Sequence, residues 1–272
     1  MISIGGQPFA ADALMDRYPR NSVEREVLGR MGESTGTYSF DYMEDLEFEL
    51  LLRRETVNAA RSLARSRISF ATFHKSKCNP AYWERTANGG CALKEGVVPS
   101  EAVMDIYVNG GEYATECATA MIIVYYQALL AVFGKERFNA LFPHIYLMNW
   151  HNLDPLLRET GSPRKVDDIL PGDRGYFRNP EVDPETPEWQ GENVIILPGD
   201  LYYGHGIGVT RAGGIIRGLN NHRREGATES AYLVDEVGRP DFKRLAGLYD
   251  EGAAWNAYPE WGLSHPRISV MY

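Results

Sequence analysis

Residues Thr115 to Gly134 read TECATAMIIVYYQALLAVFG, a cysteine followed by an apolar run that neither proline nor glycine interrupts before Gly134. Thr115 is a favoured N-cap and Gly134 is the residue type that commonly follows a helix end, so the spacing predicts one helix over this stretch. Between Ala118 and Phe133 the strongly polar groups are limited to Thr119, Gln127 and the hydroxyls of Tyr125 and Tyr126. A helix that is apolar nearly all round belongs in a core, and the rest of the chain is expected to pack around it.

Outward from that helix, residues Ser22–Gly32 and Glu44–Ser66 carry apolar positions at mixed three and four spacing among charges, which predicts two surface-packed helices covering the core. Ile68–Phe73 has the aromatic and β-branched character of a short strand. Residues 74–102 are rich in turn formers and too long for a structureless connection, so they are either functional or partly structured. A helix is expected to begin at Ser100, a glycine-rich turn to cover Val108–Tyr113, and a further helix to cover Lys135–Phe142. From Pro171 onward PGDRGYF, ENVIIL, LYYGHGIGV and Glu229–Val234 read as strands separated by turns. Helices first and strands later predict an α+β fold.

The chain has 272 residues, of which 44% are hydrophobic, enough for one large globular unit. It divides into an N-terminal helical portion (1–67), a core (68–248) and an aromatic tail (249–272) without periodic pattern. A formal charge of -9 argues against a partner of the nucleic-acid class, which requires a basic stripe. The N-terminus lacks the features of a signal peptide, and the run Ala120–Phe133 is too short to span a bilayer, so synthesis in the cytosol and no membrane association are expected. The histidines are scattered, and neither a zinc spacing nor an acidic calcium loop occurs, so no metal or other cofactor is expected. Three cysteines, Cys78, Cys91 and Cys117, leave at least one thiol without an intrachain partner. Cys78 and Cys91 read first as packing residues; a disulfide formed in an oxidising environment is the alternative.

With Thr115 as cap, Cys117 is the second helical residue, where unpaired N–H groups and the positive end of the helix dipole favour a thiolate and could also hold an oxyanion. That makes it a candidate nucleophile; a buried structural thiol is the competing reading. Glu116 is adjacent, but neighbouring helical positions point about 100° apart. It is either a proton partner or simply a favourable charge in the first turn. A better-aimed partner comes from GENVIILPGDLYYGHGIGV, read as a hairpin. Alternation places Leu201, Tyr203, His205, Ile207 and Val209 on one face. A four-residue loop from Leu197 to Asp200 would pair Ile196 with Leu201 and set Glu192 opposite His205, whereas a one-residue slip would turn Glu192 away. His205 alone would equally serve as a hydrogen-bonded core histidine.

YATECATAM around Cys117, TPEWQGENVI and YYGHGIG resemble the spore-coat transglutaminases, the protein-glutamine gamma-glutamyltransferases of spore-forming bacilli. The resemblance extends through FATFHKSKCNPAYWERT, FNALFPHIYLMNW, LPGDRGYFRNPEVDPETPEWQ and EGATESAYL, from about Ile68 to Leu245. It implies a papain-like core in which the nucleophile-bearing helix packs on an antiparallel sheet. It further implies Cys117 as nucleophile, Glu192 and Glu116 as partly redundant proton carriers, His205 in support, and Trp150 and Trp189 lining a sheltered substrate tunnel. Core packing is the alternative for the two tryptophans. The implied reaction joins glutamine- and lysine-bearing proteins of the spore coat by isopeptide crosslinks, without calcium, in a protein made in the cytoplasm of the sporulating cell and deposited in the coat. Two other readings stand beside it: a papain-like cysteine peptidase or amidase that hands the acyl group to water, and a catalytically silent coat component.

Overall fold

The computed structural model describes residues 1–150 and 152–257, with side chains described up to Asp250; His151 and residues 258–272, the end of the patternless tail, lie outside them. The chain opens with β1 (Ile2–Ile4) and β2 (Gln7–Phe9), followed by α1 (Asp12–Met15), α2 (Val23–Glu33), β3 (Tyr38–Phe40) and α3 (Met43–Leu63). Strands β2, β1 and β3 form a small sheet within a portion read from sequence as helical. At three residues apiece, these strands are too short to show a period. Helix α2 starts where read: Ser22 Oγ accepts the Arg25 N–H at 3.2 Å, satisfying one otherwise unpaired donor.

Next come β4 (Ser69–Phe70), the hairpin β5 (Trp83–Arg85) and β6 (Cys91–Leu93), α4 (Pro99–Val108) and β7 (Ala114–Thr115), which pairs in parallel with β4. The long connection after Phe73 is therefore structured. It is also stapled: Cys78 and Cys91 form a disulfide, with Cα atoms 6.3 Å apart, rather than serving as separate packing residues. Spacing alone could not decide this, because the pairing depends on β5 folding back on β6.

Helix α5 (Cys117–Leu141) is the predicted core helix. Its side chains from Ala118 to Tyr126 and from Ala128 to Leu130 are buried. Gly134, at φ 73° and ψ 166°, interrupts the helical backbone, so α5 consists of two helices meeting at a kink, as read from sequence. By length and composition α5 would suffice to cross a bilayer, contrary to the sequence reading of the run as too short, but most of it is packed inside the protein. β8 (Tyr146–Leu147) then joins β6.

The main sheet has five strands in the order β12-β11-β10-β9-β13: β9 (Arg174–Arg178), β10 (Gly191–Leu197), β11 (Leu201–Gly204), β12 (Gly208–Arg211) and β13 (Tyr232–Leu233), all antiparallel. Two helices complete the described fold, α6 (Ala212–Asn220) after β12 and α7 (Phe242–Ala257). One sheet face, with Ile195, Leu197 and Tyr203, belongs to the large core with α3 and α5; the other, with Phe177 and Val194, forms a smaller core with Ile215 and Leu219 of α6. The result is a papain-like α+β fold, with the cysteine helix packed on an antiparallel sheet.

Helix α3 is not the surface cover its charges suggested. Arg53 is fully buried, its Nε donating to Glu49 at 2.8 Å and its Nη1 donating to Asp173 at 2.8 Å and to the Pro171 carbonyl at 2.9 Å. Arg239 grips the same Asp173 carboxylate through two further bonds of 2.8 Å. The charges that made α3 look solvated thus pair inside the protein. Both guanidinium groups hold the Asp173 carboxyl below its ordinary range despite its burial. Because Asp173 immediately precedes β9, this clamp fixes where the strand enters the sheet. Arg53→Met would leave the buried Glu49 carboxylate without its partner and Asp173 with Arg239 as its remaining cation; denaturant unfolding is expected to show a loss of about 3 kcal/mol.

Candidate active site

Cys117 is the first residue of α5, one position earlier than read, because Glu116 rather than Thr115 is the N-cap. Thr115 belongs to the β4–β7 ladder, so the helix can begin only after it. The Glu116 carboxylate accepts the Ala118 N–H, the Thr119 N–H at 2.8 Å and the Thr119 hydroxyl. Two N–H groups expected to be open to an oxyanion are therefore engaged. Thr119 Oγ1 also accepts the Asn149 N–H at 2.9 Å, tying the helix start to the segment that carries Trp150.

The hairpin register differs from the reading by one residue. Leu197 pairs with Leu201 and Val194 with Gly204 across a three-residue loop, tightened by positive φ at Gly199 (73°) and Asp200 (56°). Nor does the strand continue through His205. It ends at Gly204, and His205–Ile207 turn the chain into β12, with Gly206 at φ 97°. In this register Asn193 faces the α5 side with Tyr176, and Glu192 shares the α6 side with Val194 and Gly204. The anticipated meeting of Glu192 and His205 survives by another route. The ladder has ended, and the backbone N–H of His205 donates to the Glu192 carboxylate.

Asn193 Nδ2 donates to Cys117 Sγ at 3.4 Å. Arg174 Nη1 donates to Asn193 Oδ1 at 3.0 Å, and Arg174 Nε to the Thr160 carbonyl at 2.8 Å. The guanidinium lies 4.6 Å above the Trp150 ring. Trp150 thus bears on the site through Arg174, whereas Trp189 lines a narrow cavity directly, its ring stacked on His222 at 3.9 Å. That cavity, about 60 Å³, is also lined by Phe70, Glu188, Glu192, His205 and Gly206. Glu192 Oε1 is buried there without a hydrogen-bond partner. Gly204 makes its room: a Cβ there would stand 3.0 Å from Glu192 Cγ.

The electrostatics follow from burial. The Cys117 thiol is pushed up to about 12, first by desolvation, then by the charges of Glu192 and Glu116, against hydrogen bonds from Asn193. Desolvation also carries Glu192 well above the carboxylate range, and Glu116 up from its own. The His205 ring lies between Tyr203 Oη at 3.2 Å and the Ser69 carbonyl at 3.1 Å, and burial pushes it down to about 4. With both nitrogens engaged, the His205 ring is held neutral at physiological pH. Arg174 and Asn193 escaped the sequence reading. Asn193 adjoins Glu192, but only the register shows which of the two meets the sulfur, and nothing local distinguishes Arg174 from a surface arginine.

A thiol, a buried acid and an antiparallel sheet suit acyl transfer in general, and comparison with known proteins decides the class. The family model described as protein-glutamine gamma-glutamyltransferase matches residues 1–249. The chain belongs to the protein-glutamine gamma-glutamyltransferase family. It is 39% identical over 239 residues to the enzyme of that name from Halalkalibacterium halodurans, covering 88% of this chain and 82% of the relative. With the Bacillus cereus enzyme it shares 42% identity over 242 residues, with the same coverage. The solved Geobacillus stearothermophilus transglutaminase without its C-terminal extension superposes with a TM-score of 0.71 at 46% identity, over 75% of this chain and 97% of that one. Protein-glutamine gamma-glutamyltransferase activity follows, with glutamine- and lysine-bearing proteins as the family's substrates.

His205 gives the enzyme a pH signature. Its folded pKa lies below the unfolded value of 6.5, so its contribution to stability is complete above 6.5 and is lost as pH falls through about 4. The full contribution is about 3 kcal/mol. Thermal unfolding between pH 7.5 and 4.5 should therefore fall more steeply for wild type than for His205→Gln.

Proposed function

We propose that Cys117 is the nucleophile and Glu192 the principal proton carrier of a glutamine-to-lysine acyl transfer. Cys117 Sγ attacks the side-chain carboxamide of a protein glutamine, its proton passing toward Glu192. The C–N bond breaks, and ammonia leaves with the returned proton. The resulting thioester is attacked by a lysine amine, which gives its surplus proton to the same carboxylate. An isopeptide bond forms and the thiol is restored. The observation that carries this reading is the buried, unpartnered Oε1 of Glu192, whose charge acts on Cys117 more strongly than that of Glu116. A site with little room for water also favours amine over water as acceptor, since hydrolysis would merely convert glutamine to glutamate.

Glu116 is a weaker second carrier. Its carboxylate already serves the helix start, so it can take a proton only by loosening the cap. We also propose that turnover needs no calcium; among the described residues no three His, Cys, Asp or Glu side chains cluster to hold a metal ion.

Incorporation of a labelled primary amine into a glutamine-bearing protein tests these roles. Cys117→Ala should abolish it, Glu192→Ala should lower it on the order of 100-fold, Glu116→Gln should lower it less, and the double carboxylate variant should approach the cysteine variant. The acid limb of the wild-type pH profile should lie above the ordinary carboxylate range, because Glu192 must lose its proton before it can accept one. A chelator should leave the rate unchanged; a loss that calcium restores would overturn that part. Production of glutamate alone would favour the hydrolase reading.

We propose further that the substrates are spore-coat proteins and that the enzyme is made in the cytoplasm of the sporulating cell and deposited in the coat. The support is the motif resemblance together with relatives from Bacillus species. Immunodetection in purified coats of mature spores is expected to be positive, and its confinement to vegetative cytoplasm would count against the assignment.

A further inference from the structure

Arg174 is a buried cation in an unusual position. Among the described residues no carboxylate lies within 4 Å of it, whereas Asp173, next to it in sequence, is paired with both Arg53 and Arg239. Its neighbours are the Thr160 carbonyl, the Trp150 ring and Asn193 Oδ1. Gly238 closes over it: a Cβ there would stand 2.7 Å from Arg174 Nε. Burying a guanidinium without a counter-charge is costly, and desolvation pushes this one below its ordinary range. Cys117 is among the groups whose negative charge would restore it. A charged sulfur, or an oxyanion beside it, therefore supplies a counter-charge that no adjacent carboxylate provides, in addition to the influence of Tyr125 and Glu236.

The link between them is directional. A guanidinium has donors and no acceptor, so the Asn193 amide must turn its oxygen to Arg174 and its NH2 to Cys117. We infer that Asn193 is a catalytic residue that donates to the Cys117 thiolate and the adjoining oxyanion, and that Arg174 is the positioning residue that fixes and polarises its amide. With the Ala118 and Thr119 N–H groups engaged by Glu116, this amide takes over part of the role expected of the helix terminus. The inference rests on Cys117 as nucleophile, which amine incorporation by Cys117→Ala decides separately.

The test is the rate of iodoacetamide alkylation of Cys117, the free thiol, as a function of pH, with melting temperature recorded alongside. This readout needs no transferase activity. The charged or titratable groups acting on the sulfur are Glu192, Glu116, Arg174 and Tyr176, so the profile is compared in a constant Glu192→Gln background as well as in wild type. Asn193→Ala and Arg174→Met are each expected to slow alkylation at neutral pH about tenfold or more and to move the profile upward. Arg174→Lys, which keeps the charge but loses the fork, should recover only part. The double variant should be no slower than Asn193→Ala alone, since Arg174 acts through that amide. An unchanged profile with lowered melting temperature would make the pair merely structural and overturn the inference. Additive losses in the double variant would overturn the positioning role. Should Arg174→Met fail to fold, Arg174→Lys against Asn193→Ser decides by the same two criteria.

Discussion

The placing of a buried carboxyl group, Glu192, beside a half-buried thiol and carboxyl, Cys117 and Glu116, is the constraint on which the structure turns. Cys117, Glu116 and Glu192 all resist ionisation where they stand; both carboxylates raise the cost of charging the thiol, and Glu116 raises that of charging Glu192. Such a site requires that compensating donors be placed in advance. Asn193 at the sulfur, the His205 backbone N–H at Glu192, and the helix N–H groups at Glu116 are those donors.

Each donor depends on packing at some distance. Asn193 reaches Cys117 because β10 is sandwiched between the α5 core and the α6 core, which determines the face of every residue along it. Arg174 holds that amide because the preceding residue, Asp173, is clamped by Arg53 of α3 and by Arg239. His205 is kept neutral by burial between Tyr203 and Ser69. The buried ion cluster and the groups around Cys117 are therefore adjacent parts of one arrangement, the first with its charges paired and the second left with one orphan carboxyl oxygen and a guanidinium that meets no carboxylate. Fully paired charges specify position, while incompletely paired ones respond to a developing charge.

Much of this was legible before folding. A run from Ala118 to Phe133 with few polar side chains can only be buried, and a cysteine at its start is chemically conspicuous. The strands after Pro171 announced themselves by β-branched runs between turns. The errors share a cause. Helix α3 read as surface because local patterning cannot show that Arg53, paired with Glu49, also meets Asp173, 120 residues later. The disulfide between Cys78 and Cys91 depends on a hairpin whose strands are three residues long.

By itself the sequence determined the α+β class, the core helix, the cysteine at its head and the family, because each rests on composition and order along the chain. Only the tertiary structure decided which side chains face the sulfur. Strand register differs by one residue from the alternation reading, and with a period of two that shift exchanges Glu192 for Asn193 on the α5 face. Two positive φ values at Gly199 and Asp200 set the register, and the strand ends at Gly204 in time for His205 to meet Glu192 through its backbone. A turn of three residues rather than four is a difference of local backbone geometry that residue types alone do not encode, yet it selects the atoms that touch the Cys117 sulfur.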